Sequence, residues 1–179
     1  HYKDADCNNV FQNPDKGLEF VLENLNSKML VFIDWNFSGH HKKGIDLLKE
    51  IRKKTSLLYI VIMSANQLRT DIPLDSIIEM MNEENFFYLD RSNDDFESVI
   101  TIIDRVRSQW STKFDCVLEQ WLLRHPEDND REAFSEVSTG TTFTWADILV
   151  ELRQQTPIGK SFEQKLNEYY IYQLNRSKK

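Results

Sequence analysis

Up to about Ser111 the chain alternates short apolar runs with longer segments whose apolar residues recur at helical spacing. This is the pattern of strands and helices interleaved in an α/β sheet. The runs Met29-Leu-Val-Phe-Ile33 and Leu57-Leu-Tyr-Ile-Val-Ile-Met63 are apolar throughout, so they read as central parallel strands covered on both faces; they end in Asp34 and Ser64. A third run, Phe86-Phe-Tyr-Leu89, ends in Asp90 and Arg91, and Asn9-Val10-Phe11 is a weaker strand candidate bounded by Pro14. Between these runs, Gly17 to Leu25 sets Leu18, Val21, Leu22 and Leu25 on one helical face. Gly44 to Lys54 does the same with Ile45, Leu48 and Ile51, and Leu74 to Met81 with Ile77, Ile78 and Met81. Ser92 followed by Asp95 has the form of a capping box, ahead of a helix expected to bury Phe96, Val99, Ile100, Ile103 and Val106.

Beyond Ser111 the strand signal stops. Phe114, Val117, Leu118, Trp121 and Leu122 mark a helix that closes near His125-Pro126. A polar stretch from Glu127 to Thr142 follows, with at most a turn of helix at Arg131 to Val137. Thr144 then caps a helix carrying Trp145, Ile148, Leu149 and Leu152, with Asp147 placed to favour the helix dipole. Thr156-Pro157 opens the last helix, where the missing proline N–H costs nothing, and that helix presents Phe162, Leu166, Tyr169, Tyr170 and Leu174. The expected organisation is an α/β domain over residues 1–111 and an all-helical region over 112–179.

Composition narrows the class. With 179 residues, 40% hydrophobic, 28% charged, five Gly and four Pro, the chain can bury a sizeable core and is neither collagen-like nor low-complexity. Its longest apolar run is far short of the roughly 20 residues that span a bilayer. Cys7 and Cys116 lie far apart with no partner at metal-ligand spacing, which suits a reduced, cytoplasmic setting. The net charge of −7, negative on both sides of Ser111, opposes broad attraction to nucleic acid. A helix-turn-helix built from Thr144 to Gln155 and Pro157 to Asn175 would have little beyond Lys160 and Lys165 to meet a phosphate backbone, so DNA binding is not expected.

Ligand chemistry in parallel sheets collects at the carboxyl ends of the strands. Asp34, Ser64 and Arg91 fall there. A carboxylate, a hydroxyl and a cation on one edge suit a phosphoryl group: the acid as nucleophile, the others holding phosphoryl oxygens, with Mg²⁺ offsetting charge.

These residues resemble the receiver domains of two-component response regulators. Val31-Phe-Ile-Asp34 with the later Gly44-Ile-Asp-Leu-Leu-Lys-Glu-Ile-Arg52 is similar to the family's phosphoacceptor strand and following helix. Ile60-Val-Ile-Met-Ser64-Ala65 is similar to its fourth strand, and Tyr88-Leu-Asp-Arg-Ser92 to its fifth. The resemblance covers roughly Asn9 to Trp110. It implies a flavodoxin-like sheet and phosphorylation of Asp34 by a histidine kinase or phosphotransfer protein. It also implies Mg²⁺ held by Asp34 and the backbone carbonyl of Asn36, a phosphoryl contact from Ser64, and a Ser64–Tyr88 switch. Arg91 stands where the family has Lys.

The departures define the alternatives. Arg91 keeps a charge but not the reach of an ammonium, and either contacts phosphate or pairs with a neighbouring acid such as Asp90. Ser92 replaces the family's Pro. The Asp34 to Gly44 loop is long and carries His40 and His41, which read as solvated. No strand ending in an acidic pair precedes Asn9, so the resemblance implies that the family's first strand is missing; Asp4 and Asp6 are not assigned to the metal. A pseudo-receiver, a scaffold without phosphorylation, is the competing reading. No nucleophile elbow or dinucleotide glycine pattern is visible, so a signalling module rather than an enzyme is expected, meeting a downstream protein or a second copy through its C-terminal helices. Gly159-Lys160-Ser161 lacks the preceding glycine and strand of a phosphate loop.

Overall fold

The apolar runs of the first half are strands β1 (Leu30–Asp34), β2 (Tyr59–Ser64) and β3 (Phe86–Asp90), parallel and ordered β1-β2-β3. The computed structural model describes residues 9–65, 72–92, 96–137 and 139–176. The chain divides into two units, His1–Asp104 and Arg105–Lys179, and the division falls inside a helix rather than at Ser111.

In the first unit the strand register runs from Leu30↔Tyr59 to Asp34↔Met63 and from Ile60↔Phe86 to Ser64↔Asp90. Side chains alternate between the two faces of the sheet. One face carries Ile33, Trp35, Ile60 and Ile62, and it packs with Val21 of α1 (Pro14–Glu23), Ile45, Leu48 and Ile51 of α2 (Gly44–Arg52) and Met80 of α3 (Leu74–Met81). The chain is therefore mixed α/β, with a three-stranded parallel sheet flanked by helices. The buried Arg52 guanidinium ties this layer together: it donates to the carbonyls of Leu58 (3.0 Å) and Glu84 (2.7 Å), and its Nε lies 2.9 Å from Glu83.

Four expectations for this unit fail. β1, read as a central strand, is an edge of the described sheet. In α3 the buried residue is Met80, whereas Ile78 and Met81 are 49% and 78% exposed. Asn9-Val10-Phe11 is not a strand: Asn13 accepts hydrogen bonds from the N–H groups of Asp15 and Lys16 and caps α1 at Pro14, so the run is the lead-in to a helix. Phe11 instead meets Phe20 of that helix, ring centroids 5.2 Å apart. Phe96, expected in the core, is 76% exposed as the first residue of α4 (Phe96–Trp110). Helical side chains lean toward the N-terminus, so a first-turn residue overhangs the helix start. Asp95, the second half of the expected capping box, lies outside the described residues.

The second unit is not all-helical, contrary to the expectation for residues 112–179. After α5 (Phe114–Arg124) and a single 3-10 turn (Pro126–Asp128), the polar stretch forms an antiparallel hairpin of β4 (Glu132–Glu136) and β5 (Thr141–Thr144). Each strand contributes one phenylalanine. Phe134 and Phe143 face each other across the pair, ring centroids 6.5 Å apart, and Gly140 closes the turn at φ 69°. One aromatic per strand is too short a signal for a period of two to show. Helices α6 (Trp145–Arg153) and α7 (Pro157–Arg176) complete the unit. Its core joins Leu118, Leu122, Ile148, Leu152 and Phe162, and Phe162 meets the rings of Phe114, Phe134 and Trp145 at 6.1, 5.6 and 6.0 Å. Among the described residues no helix is long and apolar enough to cross a membrane.

The cap of α6 forms as expected. Thr144 Oγ1 accepts from the Asp147 N–H (3.2 Å), while Asp147 accepts from the Thr144 N–H (2.9 Å) and hydroxyl (2.8 Å). These bonds, the backbone one first, hold the Asp147 carboxyl below its ordinary pKa. A carboxyl depressed in the folded state adds stability above its unfolded pKa, near 4, and loses it as pH falls through the folded value. Thr144→Ala is therefore expected to cost about 1 kcal/mol at neutral pH. Asp147→Asn should narrow the gap between thermal midpoints measured at neutral pH and below about pH 4; an unchanged gap would refute this role.

Candidate functional site

All three strands present their carboxyl ends on the same edge, because they are parallel and in register. Two backbone bonds continue the pairing past the strand ends: the Trp35 N–H donates to Met63 O (2.7 Å) and the Arg91 N–H to Ser64 O (2.8 Å). The expected residues are thus gathered at one edge, but not on one face. Asp34, Met63 and Leu89 form one row across the sheet, and Arg91, two residues after Leu89, lies on the same face. Ser64 belongs by alternation to the opposite, helix-covered face, where it is buried at 3% exposure. Tyr88, the expected switch partner, shares that face and packs against the core beside Ile60 and Ile62.

Strands β1 and β3 are not neighbours, yet the Arg91 guanidinium reaches across the end of β2 to Asp34, Nη1 to Oδ1 2.6 Å. Asp90 serves another purpose: its Oδ1 accepts from the Ser92 N–H (2.9 Å) and hydroxyl (2.5 Å), which tightens the turn after β3. Of the acids near it, Arg91 pairs with Asp34 across the sheet edge.

The long loop after Asp34 is closed at its base. Asn36 and Lys43 form an isolated antiparallel bridge, and the Gly44 N–H donates to Trp35 O (2.9 Å). Gly44 is required here, because a Cβ would sit 2.7 Å from the backbone oxygen of Asp34. That close approach seats the start of α2 against the strand end that carries Asp34. Trp35, 1% exposed, anchors the loop from below, with Lys43 Nζ 5.7 Å from its ring centre. At the far side Lys42 pairs with Asp15 on α1, and this hydrogen bond raises the lysine pKa. His40 and His41 are exposed at the tip.

The candidate Mg²⁺ donors are a half-exposed carboxylate, Asp34, and the backbone carbonyl of the exposed Asn36. The bridge spends the carbonyl of Trp35, through Gly44, rather than that of Asn36 in this bond. Mg²⁺ commonly takes one or two protein oxygens and fills its shell with water and substrate phosphate, so this pair fits as a partial shell. Among the described residues there is no group of three or more His, Cys, Asp or Glu side chains that could hold a metal. Asp4 and Asp6 lie outside the described residues.

Sequence reasoning missed Trp35 and the close approach at Gly44. A glycine directly before a helical apolar pattern, ten positions after the strand-end acid, was the available signal. It also missed Arg153 in the second unit. In comparisons with protein-family models, with curated proteins and with solved structures, nothing matches the chain.

Proposed function

We propose that this chain is a receiver-type signalling module, flavodoxin-like in its first unit, in which Asp34 accepts a phosphoryl group from a histidine kinase or phosphotransfer protein. The contact between Asp34 and Arg91 across the end of β2 carries this reading. The Asp34 oxygen would form the new P–O bond as the P–N bond of a phosphohistidine breaks, its electron pair leaving with the imidazole. Bound Mg²⁺, held by Asp34 and the Asn36 carbonyl, would supply charge neutralisation for this transfer. Released from Asp34, Arg91 can turn its fork to the phosphoryl oxygens. Ser64 and Tyr88, on one face of adjacent strands, suit a packing change that follows. The second unit is the output element, meeting a protein rather than DNA, and the setting is cytoplasmic.

The competing pseudo-receiver reading is favoured by one observation: Arg91 already occupies one oxygen of Asp34. The magnitude argues against a lock. The two side chains are 50% and 42% exposed, and an ion pair so solvated is worth about 0–1 kcal/mol, well within what phosphodonor binding can displace.

Incubation with a small acyl phosphate and Mg²⁺ should add one phosphoryl group that is labile to acid and to base. Asp34→Asn should abolish it. Labelling that persists in Asp34→Asn would remove Asp34 as acceptor, and an unsubstituted chain that does not label, with labelling gained on Arg91→Ala, would establish the pseudo-receiver.

A further inference from the structure

The second half of α7 stands with its apolar side chains largely exposed among the described residues. Phe162 is buried and Leu166 half-buried, but Tyr169, Tyr170, Ile171, Tyr172 and Leu174 are each more than half exposed. The sequence has this helix present Tyr169, Tyr170 and Leu174, and the described residues leave them exposed. At about 100° per residue, Tyr169 and Tyr172 fall on one side of the Phe162–Leu166 line and Tyr170, Leu174 and Ile171 on the other. Apolar side chains thus span about 260° of the circumference, whereas one helix laid alongside covers an arc of about 100°. A helix apolar around most of its girth calls for cover on more than one side.

The same unit exposes a second apolar surface, Val117 and Trp121, which lie about one turn apart on one face of α5. Trp121 is held ready: its indole N–H donates to Asp128 (3.0 Å) and its ring stacks on His125, centroids 4.2 Å apart. Rigid aromatics of this kind dominate binding energy at interfaces.

We infer that the occupant of both surfaces is a second copy of this chain. In a two-fold dimer the free halves of α7 cross antiparallel, and each also lies on α5 of the other copy, so both surfaces are covered twice. Three observations support this choice. The first is that one unit carries two apolar surfaces, and reciprocal packing covers the wide arc that a single helix leaves open. The second is area: half-exposed aromatics offer about 100 Å² each and the smaller aliphatics less, so the seven side chains approach roughly 600 Å² per copy, one partner's share at the lower end of standard interfaces. The third is charge. Glu168 precedes the free segment's aromatic residues and Arg176 closes it, so an antiparallel crossing centred near Tyr172 sets Arg176 of one copy against Glu168 of the other. Lys165 does not oppose this, since its ammonium sits 4.6 Å from the ring centre of its own Phe134.

The test is sedimentation of the full chain. The expected mass is twice 21.3 kDa, with micromolar or tighter dissociation. Ile171→Glu with Leu174→Glu should weaken the dimer at least about tenfold, and Trp121→Ala should weaken it measurably. If the double variant loses helix by circular dichroism, charge reversal decides: Glu168→Lys and Arg176→Glu each weaken association, and the pair together restores it. A chain that stays at 21.3 kDa up to about 100 µM overturns the proposal in favour of a different protein on this surface. A dimer indifferent to the α7 substitutions and to charge reversal overturns it equally. Asp34→Asn should leave the dimer unchanged, so failure here and failure of the receiver reading are separable.

Discussion

Gly159→Ala is expected to destabilise the second unit by about 3 kcal/mol, although alanine is the better helix former by about 1 kcal/mol. The Cβ would sit 2.2 Å from Glu151 O, 2.5 Å from Glu151 C and 2.8 Å from Leu152 N, all of them backbone. No side chain can swing away, so α7 must lift from α6. That movement would loosen Phe162, three residues on, from the rings of Phe114, Phe134 and Trp145. It would also strain the link in which the Gly159 N–H donates to Thr156 Oγ1 (3.1 Å) while the Thr156 hydroxyl donates to Glu151. Differential scanning calorimetry of the full chain should show the second unit's transition moved down by more than 10 °C, at the roughly 4–8 °C per kcal/mol usual for a unit of this size. An unchanged thermogram would mean that α6 and α7 do not cross at Gly159. The triplet Gly159-Lys160-Ser161 therefore records a helix crossing, with its glycine selected by contact distance rather than by a phosphate.

Arg153→Leu should cost the second unit about 3–4 kcal/mol. The guanidinium is 4% exposed and sits between Asp115, Nε to Oδ2 3.3 Å, and Glu119, Nη1 to Oε1 3.0 Å. Burial alone lowers its pKa, and the hydrogen bond and charge of Glu119 with the charge of Asp115 more than offset this, so the net shift is upward. Removing the cation leaves two largely covered carboxylates beside one another on α5, which is the costly case for a buried pair. Removing all three charges together need not be costly. Arg153→Leu combined with Asp115→Asn and Glu119→Gln should recover at least half of the loss in denaturant unfolding of the full chain, followed by far-ultraviolet circular dichroism. If the triple variant is no better than Arg153→Leu, the arginine acts through packing of its stem and not through its charge.

What was legible in the sequence follows from how many neighbours each signal needs. β2 declares itself because a strand covered on both faces is apolar at every position, and α2 because its face repeats; β1 is as apolar but is an edge strand, and α3 buries Met80 rather than Ile78 and Met81. The Thr144–Asp147 cap and the start of α7 at Pro157 are local chemistry and were readable as such. The hairpin was not, since Phe134 and Phe143 matter only once paired across strands. At the site, the strand-end positions of Asp34, Ser64 and Arg91 were readable. That Arg91 would pass over Asp90 beside it and reach Asp34 on a non-neighbouring strand was not, because that choice depends on sheet order and face, which only the fold supplies.

Phe162 has a consequence for how the second unit comes apart. Its ring is shared by α5, β4, α6 and α7, so none of these elements has a core of its own, and a two-stranded hairpin alone is marginal in water. The slowest-exchanging amides of the hairpin and of the three helices should accordingly belong to one opening event, with a single protection plateau across residues that the sequence separates by more than a helix length.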